Sequence, residues 1–129
     1  MEKIYIEPTR YTPEIYLDPD KGIISLKGKS YPENTFEFYE PIMKWIKEYS
    51  KNPKDTTTVN MEIVYFNSST SKLFFNLLDI LDEMRDKSKV IVNWIYDKEN
   101  ENAKEAGEDF VEDFPEMDIR LVEKDSLND

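Results

Sequence analysis

The sequence lacks cysteine and histidine altogether. These absences exclude a disulfide scaffold, zinc fingers, Cys or Ser-His nucleophiles and metal sites with imidazole ligands. Glycine is also scarce, with three residues in 129, and no low-complexity linker interrupts the chain. We therefore expect one domain over residues 1–129, with a frayed polar tail at 124–129.

Basic residues are also few in comparison with acidic ones. Lys and Arg number 17 against 28 Asp and Glu, so the formal net charge is −11 and the pI is about 4.5. Phosphate backbones and anionic lipids repel such a surface, which argues against nucleic acid as a partner. The N-terminus does not resemble a secretory signal, and no apolar run approaches the roughly 20 residues that span a bilayer. We expect a cytoplasmic protein without membrane insertion.

The hydrophobic pattern alternates between strand and helix periods. The order strand, helix, apolar strand in the middle of the chain predicts a βαβ unit, which is parallel and right-handed. Taken together, the predicted strands and helices form an α/β domain with a mixed sheet of about six strands flanked by about three helices. Strands are predicted at Ile4–Glu7, Glu14–Leu17, Ile23–Lys27, Val59–Phe66, Val90–Tyr96 and Met117–Val122, and helices after Glu33, after Asn67 and over Glu99–Phe114.

Two details of this pattern carry their own expectations. The last residues of Val59–Phe66 are apolar on both faces, which predicts an inner strand buried on both sides at its end. Pro41 falls within the first helical pattern and removes a backbone donor, so it either starts a second helical segment or kinks the first.

Hydroxyl side chains cluster at the junction between the strand that ends at Phe66 and the following helix, over Asn67-Ser68-Ser69-Thr70-Ser71-Lys72. Ligands commonly dock at this edge of α/β sheets, and the free amides at a helix N-terminus favour a bound anion or a phosphorylated hydroxyl. An ordinary helix cap explains the same residues, since Ser, Thr and Asn are preferred there. From the residues alone, both interpretations remain open.

Catalytic and metal sites find little support in the sequence. The carboxylates between Glu99 and Asp113 are typical of a solvated helix face, and they could also dock a basic partner. Segments starting at Asp18 and Asp97 fail the calcium-loop pattern, since Ile23 and Asn102 stand where that loop requires glycine. No pair of carboxylates stands out as acid and base. We predict no catalytic residue, no metal and no cofactor.

Several segments together resemble the SiaC family of bacterial regulatory phosphoproteins. They run in the family's order from about Glu7 to Val122, and the most specific are Ser-Tyr-Pro-Glu-Asn and Tyr-x-Asn-(Ser/Thr)-Ser. The matching segments are Thr12-Pro13-Glu14, Gly28-Lys29-Ser30-Tyr31-Pro32-Glu33-Asn34, Tyr65-Phe66-Asn67-Ser68-Ser69-Thr70-Ser71-Lys72, Trp94-Ile95-Tyr96-Asp97 and Ala106-Gly107-Glu108-Asp109-Phe110.

The resemblance implies a fold similar to STAS and anti-sigma-factor-antagonist domains and a non-catalytic role in partner switching. In such a switch a protein Ser/Thr kinase phosphorylates one hydroxyl and a PP2C-type phosphatase removes the phosphate. The unphosphorylated protein binds its target, which in the SiaC system is a diguanylate cyclase, so the output is c-di-GMP signalling.

In this chain, the resemblance implies that Ser68 is the phosphoacceptor, with Thr70 as the second candidate. The family's founding member has threonine where this chain has Ser68, so a threonine-selective kinase would prefer Thr70. Asn67, Ser69, Thr70 and Lys72 are the expected partner-binding residues. The alternative function is a small-anion or small-ligand binding domain that uses the same helix N-terminus.

Overall fold

The computed structural model describes residues 1–125, and positions 126–129 of the expected tail lie outside them. Lys124, where that tail was expected to begin, is still part of the last strand. The strands are β1 Ile4–Ile6, β2 Glu14–Asp18, β3 Ile23–Ser30, β4 Thr56–Phe66, β5 Lys89–Asp97 and β6 Asp118–Lys124, and the helices are α1 Thr35–Lys51, α2 Ser68–Glu83 and α3 Glu101–Asp113. A 3-10 turn, Met84–Asp86, follows α2.

The six strands form one mixed sheet in the order in which they occur along the chain. β1, β2 and β3 pair antiparallel, and β3 to β6 pair parallel. The predicted α/β class, the number of strands and the βαβ arrangement are therefore confirmed. A helix follows each of β3, β4 and β5, so the N-termini of all three helices lie at the carboxyl edge of the sheet.

All three helices cover the same face of the sheet. Trp94 on β5 packs against Phe74 of α2 and Phe110 of α3, and Tyr39 of α1 packs against Phe74. The indole N–H of Trp94 donates to the carbonyl of Ala103 at 2.8 Å, which fixes α3 over the sheet. Of the alternating residues predicted to form the core, all are buried beneath the helices except Tyr65, and Trp45 of α1 is buried as well: Val59, Met61 and Ile63 on β4, and Val90, Val92, Trp94 and Tyr96 on β5.

The end of β4 differs from the sequence prediction. Val64 and Tyr65 are 56% and 55% exposed, so the strand is not buried on both faces there. The β3–β4 register shifts between Gly28 and Lys29, because Ile63 pairs with Gly28 but Tyr65 pairs with Lys29. This bulge gives β4 one extra residue, which turns both side chains to the surface. Periodicity alone cannot show a bulge that depends on the neighbouring strand.

Each α-helix begins at an asparagine whose side chain caps it. The Oδ1 atoms of Asn34, Asn67 and Asn100 accept from the backbone N–H groups of Glu37, Thr70 and Ala103 at 3.0, 2.9 and 3.1 Å. α1 continues through Pro41 as a single helix. Within residues 1–125, no helix is long and apolar enough to cross a bilayer.

Candidate functional site

The first turn of α2 places the predicted site residues at the carboxyl edge of the sheet. Asn67 is the single residue between β4 and α2. Its backbone N–H donates to the carbonyl of Ser30 at the end of β3. Its side chain caps the helix at Thr70, so the following residues enter a regular turn. Ser68 is the first residue of α2, where unpaired backbone N–H groups and the helix dipole favour negative charge.

Three of the predicted residues are exposed together on this turn. Ser68, Ser69 and Lys72 lie at the surface and line one pocket with Ser71 and Phe75. Lys72 follows Ser68 by four positions, so the two side chains lie one above the other on the helix. A group attached to the Ser68 hydroxyl would therefore stand in solvent, between helix amides and a lysine ammonium.

Thr70 lies on the opposite side of the same turn. Its side chain is fully buried, with 0% exposure, and its hydroxyl lies 2.9 Å from Ser30 Oγ and donates to the Ser30 carbonyl at 3.1 Å. A kinase or a partner protein cannot reach this hydroxyl in the folded chain. This geometry counts against Thr70 as phosphoacceptor or as direct partner contact, and it leaves Ser68 as the accessible candidate.

Thr70 belongs to a buried chain of hydroxyls that ties three elements together. Ser30 Oγ of β3 lies 2.7 Å from the Tyr39 hydroxyl of α1 and 2.9 Å from Thr70 Oγ1 of α2. In one consistent arrangement each hydroxyl donates once, from Tyr39 to Ser30, from Ser30 to Thr70, and from Thr70 to the Ser30 carbonyl. Burial raises the pKa of Tyr39 well above its usual range, so its hydroxyl stays protonated.

A second buried chain of hydroxyls stands at the other end of α1. The Tyr49 hydroxyl lies 2.8 Å from Thr57 Oγ1, which lies 2.7 Å from Ser88 Oγ. Tyr39 and Tyr49 thus each join a buried chain of hydroxyls, and the Tyr49 hydroxyl also accepts from the backbone N–H of Lys54 at 3.1 Å. Only Tyr39 reaches the first turn of α2, so Tyr49 serves as a control for the loss of a buried tyrosine hydroxyl elsewhere on α1.

Tyr39→Phe is expected to loosen the turn that carries Ser68, because it removes one donor from the chain of hydroxyls that holds Thr70. Tyr39→Phe should lower the free energy of unfolding by about 1 kcal/mol, and Tyr49→Phe by about 1–2 kcal/mol, because it also removes the acceptor of the Lys54 N–H. Amide hydrogen exchange at Thr70 and Ser71 should accelerate only in Tyr39→Phe. Equal exchange rates at these two amides in both variants would contradict a specific link to α2.

Sequence reasoning missed the exposed aromatic residues beside the site. Tyr31 packs edge-on against Tyr11 and Tyr65, with ring centroids 5.3 and 5.4 Å apart. Phe36, on the first turn of α1, is 71% exposed. Apolar residues recur along α1 at three- and four-residue steps, and this period does not show which of them stays uncovered.

The carboxylates of α3 do not converge on a metal site. Among residues 1–125, no group of three or more Asp or Glu side chains has the geometry to hold an ion. Most acidic residues of α3 are exposed, as expected for a solvated helix face.

Comparison with known proteins identifies the family. The sequence model that describes SiaC family regulatory phosphoproteins matches residues 6–124. The chain belongs to this family. An uncharacterized protein of Pseudomonas aeruginosa strain UCBPP-PA14 is 32% identical over 114 residues, which span 88% of this chain and 90% of that protein. Membership in a family of regulatory proteins confirms the expectation of a regulatory rather than a catalytic role.

Solved structures of SiaC have the same fold. SiaC of Pseudomonas aeruginosa is 27% identical with a TM-score of 0.86, and the match covers 96% of this chain and 100% of that one. A chain in the crystal structure of diguanylate cyclase SiaD in complex with its activator SiaC is 28% identical with a TM-score of 0.87, covering 94% of this chain and 99% of that one.

Proposed function

We propose that this SiaC family member is a cytoplasmic regulatory protein whose binding to a target is controlled by one phosphate on Ser68. A protein Ser/Thr kinase adds the phosphate, and a PP2C-type phosphatase removes it. The unphosphorylated form binds and activates a diguanylate cyclase and so controls c-di-GMP production. The observation that carries this proposal is the exposed Ser68 hydroxyl on the first residue of a capped helix, in a chain of this family.

The position of Ser68 suits a modification that leaves the fold intact. A phosphate adds about −1.5 to −2 charges at neutral pH. At the first residue of α2 the helix dipole and the unpaired amides stabilise that charge, and Lys72 can pair with it. We therefore expect the phosphate to change what the surface binds without unfolding the domain.

The target assignment is supported by the structural relative. That SiaC forms a complex with the cyclase SiaD as its activator, and its fold superposes on nearly the whole of this chain. We infer the same class of target here. Ser69 and Lys72 lie beside Ser68 and are the proposed partner contacts, whereas Asn67 and Thr70 support the turn through the helix cap and the buried hydroxyls.

Phosphosite mapping by mass spectrometry tests this proposal directly. The protein is recovered from its native cells with phosphatases inhibited during lysis, and the stoichiometry at Ser68, Ser69, Thr70 and Ser71 is compared. We expect phosphate on Ser68, and none on the buried Thr70. A chain that stays unmodified under all growth conditions would contradict the switch and favour the anion-binding alternative, which thermal shift with inorganic phosphate then measures.

A further inference from the structure

The two edge strands of the sheet, β1 and β6, differ in length and in what lies beside them. β1 has three residues, and the indole N–H of Trp45 holds the chain just before it by donating to the carbonyl of Glu2 at 2.8 Å. β6 has seven residues, and its pairing with β5 contains neither a proline nor a bulge. A regular strand of this length at a sheet edge is a template for another strand.

The backbone groups on the outer side of β6 belong to alternate residues. The carbonyl of Lys124 accepts at 2.8 Å from the backbone N–H of Lys98, which directly follows β5. Successive residues of a strand direct their N–H and C=O groups to opposite sides, so those of Ile119, Leu121 and Glu123 point outward, away from β5. Among residues 1–125, no protein donor or acceptor bonds to these outward groups.

The sequence of β6 is complementary to itself in one antiparallel register. When Leu121 stands opposite Leu121 of a second copy, Ile119 stands opposite Glu123, so the outward groups of each strand meet those of the other. The same register places Asp118 opposite Lys124 at both ends of the strand pair. Opposite charges that face each other across two strands stabilise the pair.

Neighbouring registers of the same strand pair are unfavourable. A shift by two residues places Arg120 opposite Arg120 of the second copy in one direction, and opposite Lys124 in the other. Like charges directly opposite each other destabilise a strand pair. A shift by one residue sets outward backbone groups against inward ones, and the covered face of one sheet against the open face of the other. Hydrogen bonding and charge therefore favour the same central register.

The side chains of β6 suit the two faces of a continuous sheet. Leu121 is partly buried on the face that the helices cover. On the open face, Asp118 accepts from Arg120 at 2.9 Å and Lys124 donates to Glu62 at 2.8 Å. Pairing of two β6 strands brings these two ion pairs together, so that charges alternate in sign across the joint.

We propose that this protein forms a homodimer by antiparallel pairing of two β6 strands, which joins two six-stranded sheets into one. The dimer has a two-fold axis at Leu121 and is closed, because each copy uses its β6 edge for the other. This inference goes beyond the proposed function and does not depend on it. The pocket beside Ser68 is lined by residues of α2 and by none of β6, so both copies keep that surface exposed.

Analytical ultracentrifugation of the full chain, from about 1 μM to 1 mM, tests the dimer. Glu123→Pro should weaken it roughly 30-fold, because each copy loses one outward N–H group. The bonds to β5 do not use this group, and an edge strand tolerates proline on its outer side, so the melting temperature of the monomer should stay close to the wild-type value. Glu123→Ala is the matched control, since it removes the same side chain, keeps the N–H and should dimerise as the wild type does.

A charge exchange between Asp118 and Lys124 tests the register. Asp118→Lys and Lys124→Asp each place like charges opposite each other at both ends of the strand pair, and each should weaken the dimer by about 10-fold. A mixture of the two variants restores an opposite-charge pair at both ends of a heterodimer. We therefore expect the mixture to associate more tightly than either variant alone, with an affinity close to that of the wild type.

The outcomes separate the dimer from its interface. A wild-type chain that stays monomeric up to about 1 mM would overturn the proposal. A dimer that persists unchanged in folded Glu123→Pro, or a charge mixture that associates no better than the single variants, would overturn pairing through β6. Phosphosite mapping at Ser68 is independent of these results, so a failed dimer leaves the proposed function intact.

Discussion

Phosphorylation of Ser68 is expected to weaken binding to a diguanylate cyclase target roughly 30- to 150-fold, corresponding to about 2–3 kcal/mol. A partner that packs over the exposed first turn of α2 must desolvate the phosphate and accommodate its volume. Ser68→Asp should weaken binding in the same direction but less, because it carries one charge and fewer oxygens. Ser68→Ala should bind constitutively, whatever the kinase activity.

The control for this prediction adds one negative charge to the first turn of another helix. Asn102 is exposed on the first turn of α3, so Asn102→Asp also introduces a carboxylate near a helix N-terminus. The net charge is then matched, and the added carboxylate lies on the first turn of a different helix, which already carries Glu101. Calorimetry should give wild-type affinity for Asn102→Asp. Equal affinities for Ser68→Ala, Ser68→Asp and the phosphorylated protein would refute the mechanism.

The stability of these variants provides an independent check. A negative charge on the first residue of α2 interacts favourably with the helix dipole, so Ser68→Asp should melt at or slightly above the wild-type temperature. A large decrease in its melting temperature would mean that weaker binding reflects unfolding rather than a blocked surface.

Gly107→Ala is expected to destabilise the domain by about 1–3 kcal/mol, although glycine-to-alanine changes in helices ordinarily stabilise by up to about 1 kcal/mol. A Cβ atom at position 107 would lie 2.5 Å from Trp94 Cδ1 and 2.7 Å from Leu121 Cδ2. Both neighbours belong to the sheet beneath α3, and Trp94 is anchored by its hydrogen bond to Ala103. The added methyl group must therefore push α3 away from the sheet.

Urea unfolding followed by tryptophan fluorescence measures this effect. Glu108→Ala is the control, because Glu108 is the exposed neighbour of Gly107 and its substitution should change stability by less than about 0.5 kcal/mol. We expect a lower midpoint with an unchanged slope for Gly107→Ala. If this variant is as stable as wild type or more so, then the close approach of α3 to Trp94 is not required.

Much of the fold could be predicted from local patterns. The alternation of Val59, Met61 and Ile63 and the apolar stripe of α2 predicted a strand and a helix, and burial on one face confirms both. Such patterns are readable because the period of an element sets which residues share a face. The bulge at Val64 and Tyr65 could not be read this way, since it depends on the register between β3 and β4.

The sequence by itself determined the class of the protein. The missing cysteine and histidine and the excess of acidic residues exclude several types of site and partner, and the strand and helix periods predict an α/β domain. The Asn-Ser-Ser segment indicates the family and the candidate site. Local chemistry alone does not rank the hydroxyls of that segment, because Ser and Thr side chains are similar and all suit a helix start, and only the family resemblance placed Ser68 ahead of Thr70.

Only the tertiary structure shows that Ser68 and Thr70 differ in accessibility. A helix turns about 100° per residue, so side chains two positions apart point to opposite sides of α2. Which side faces solvent is decided by packing: Ser30 and Tyr39, 40 and 31 positions earlier in the chain than Thr70, close over its hydroxyl. The same long-range packing leaves Phe36 uncovered between α1 and α2. Contacts between distant segments, which no local pattern encodes, therefore decide which hydroxyl a kinase can reach.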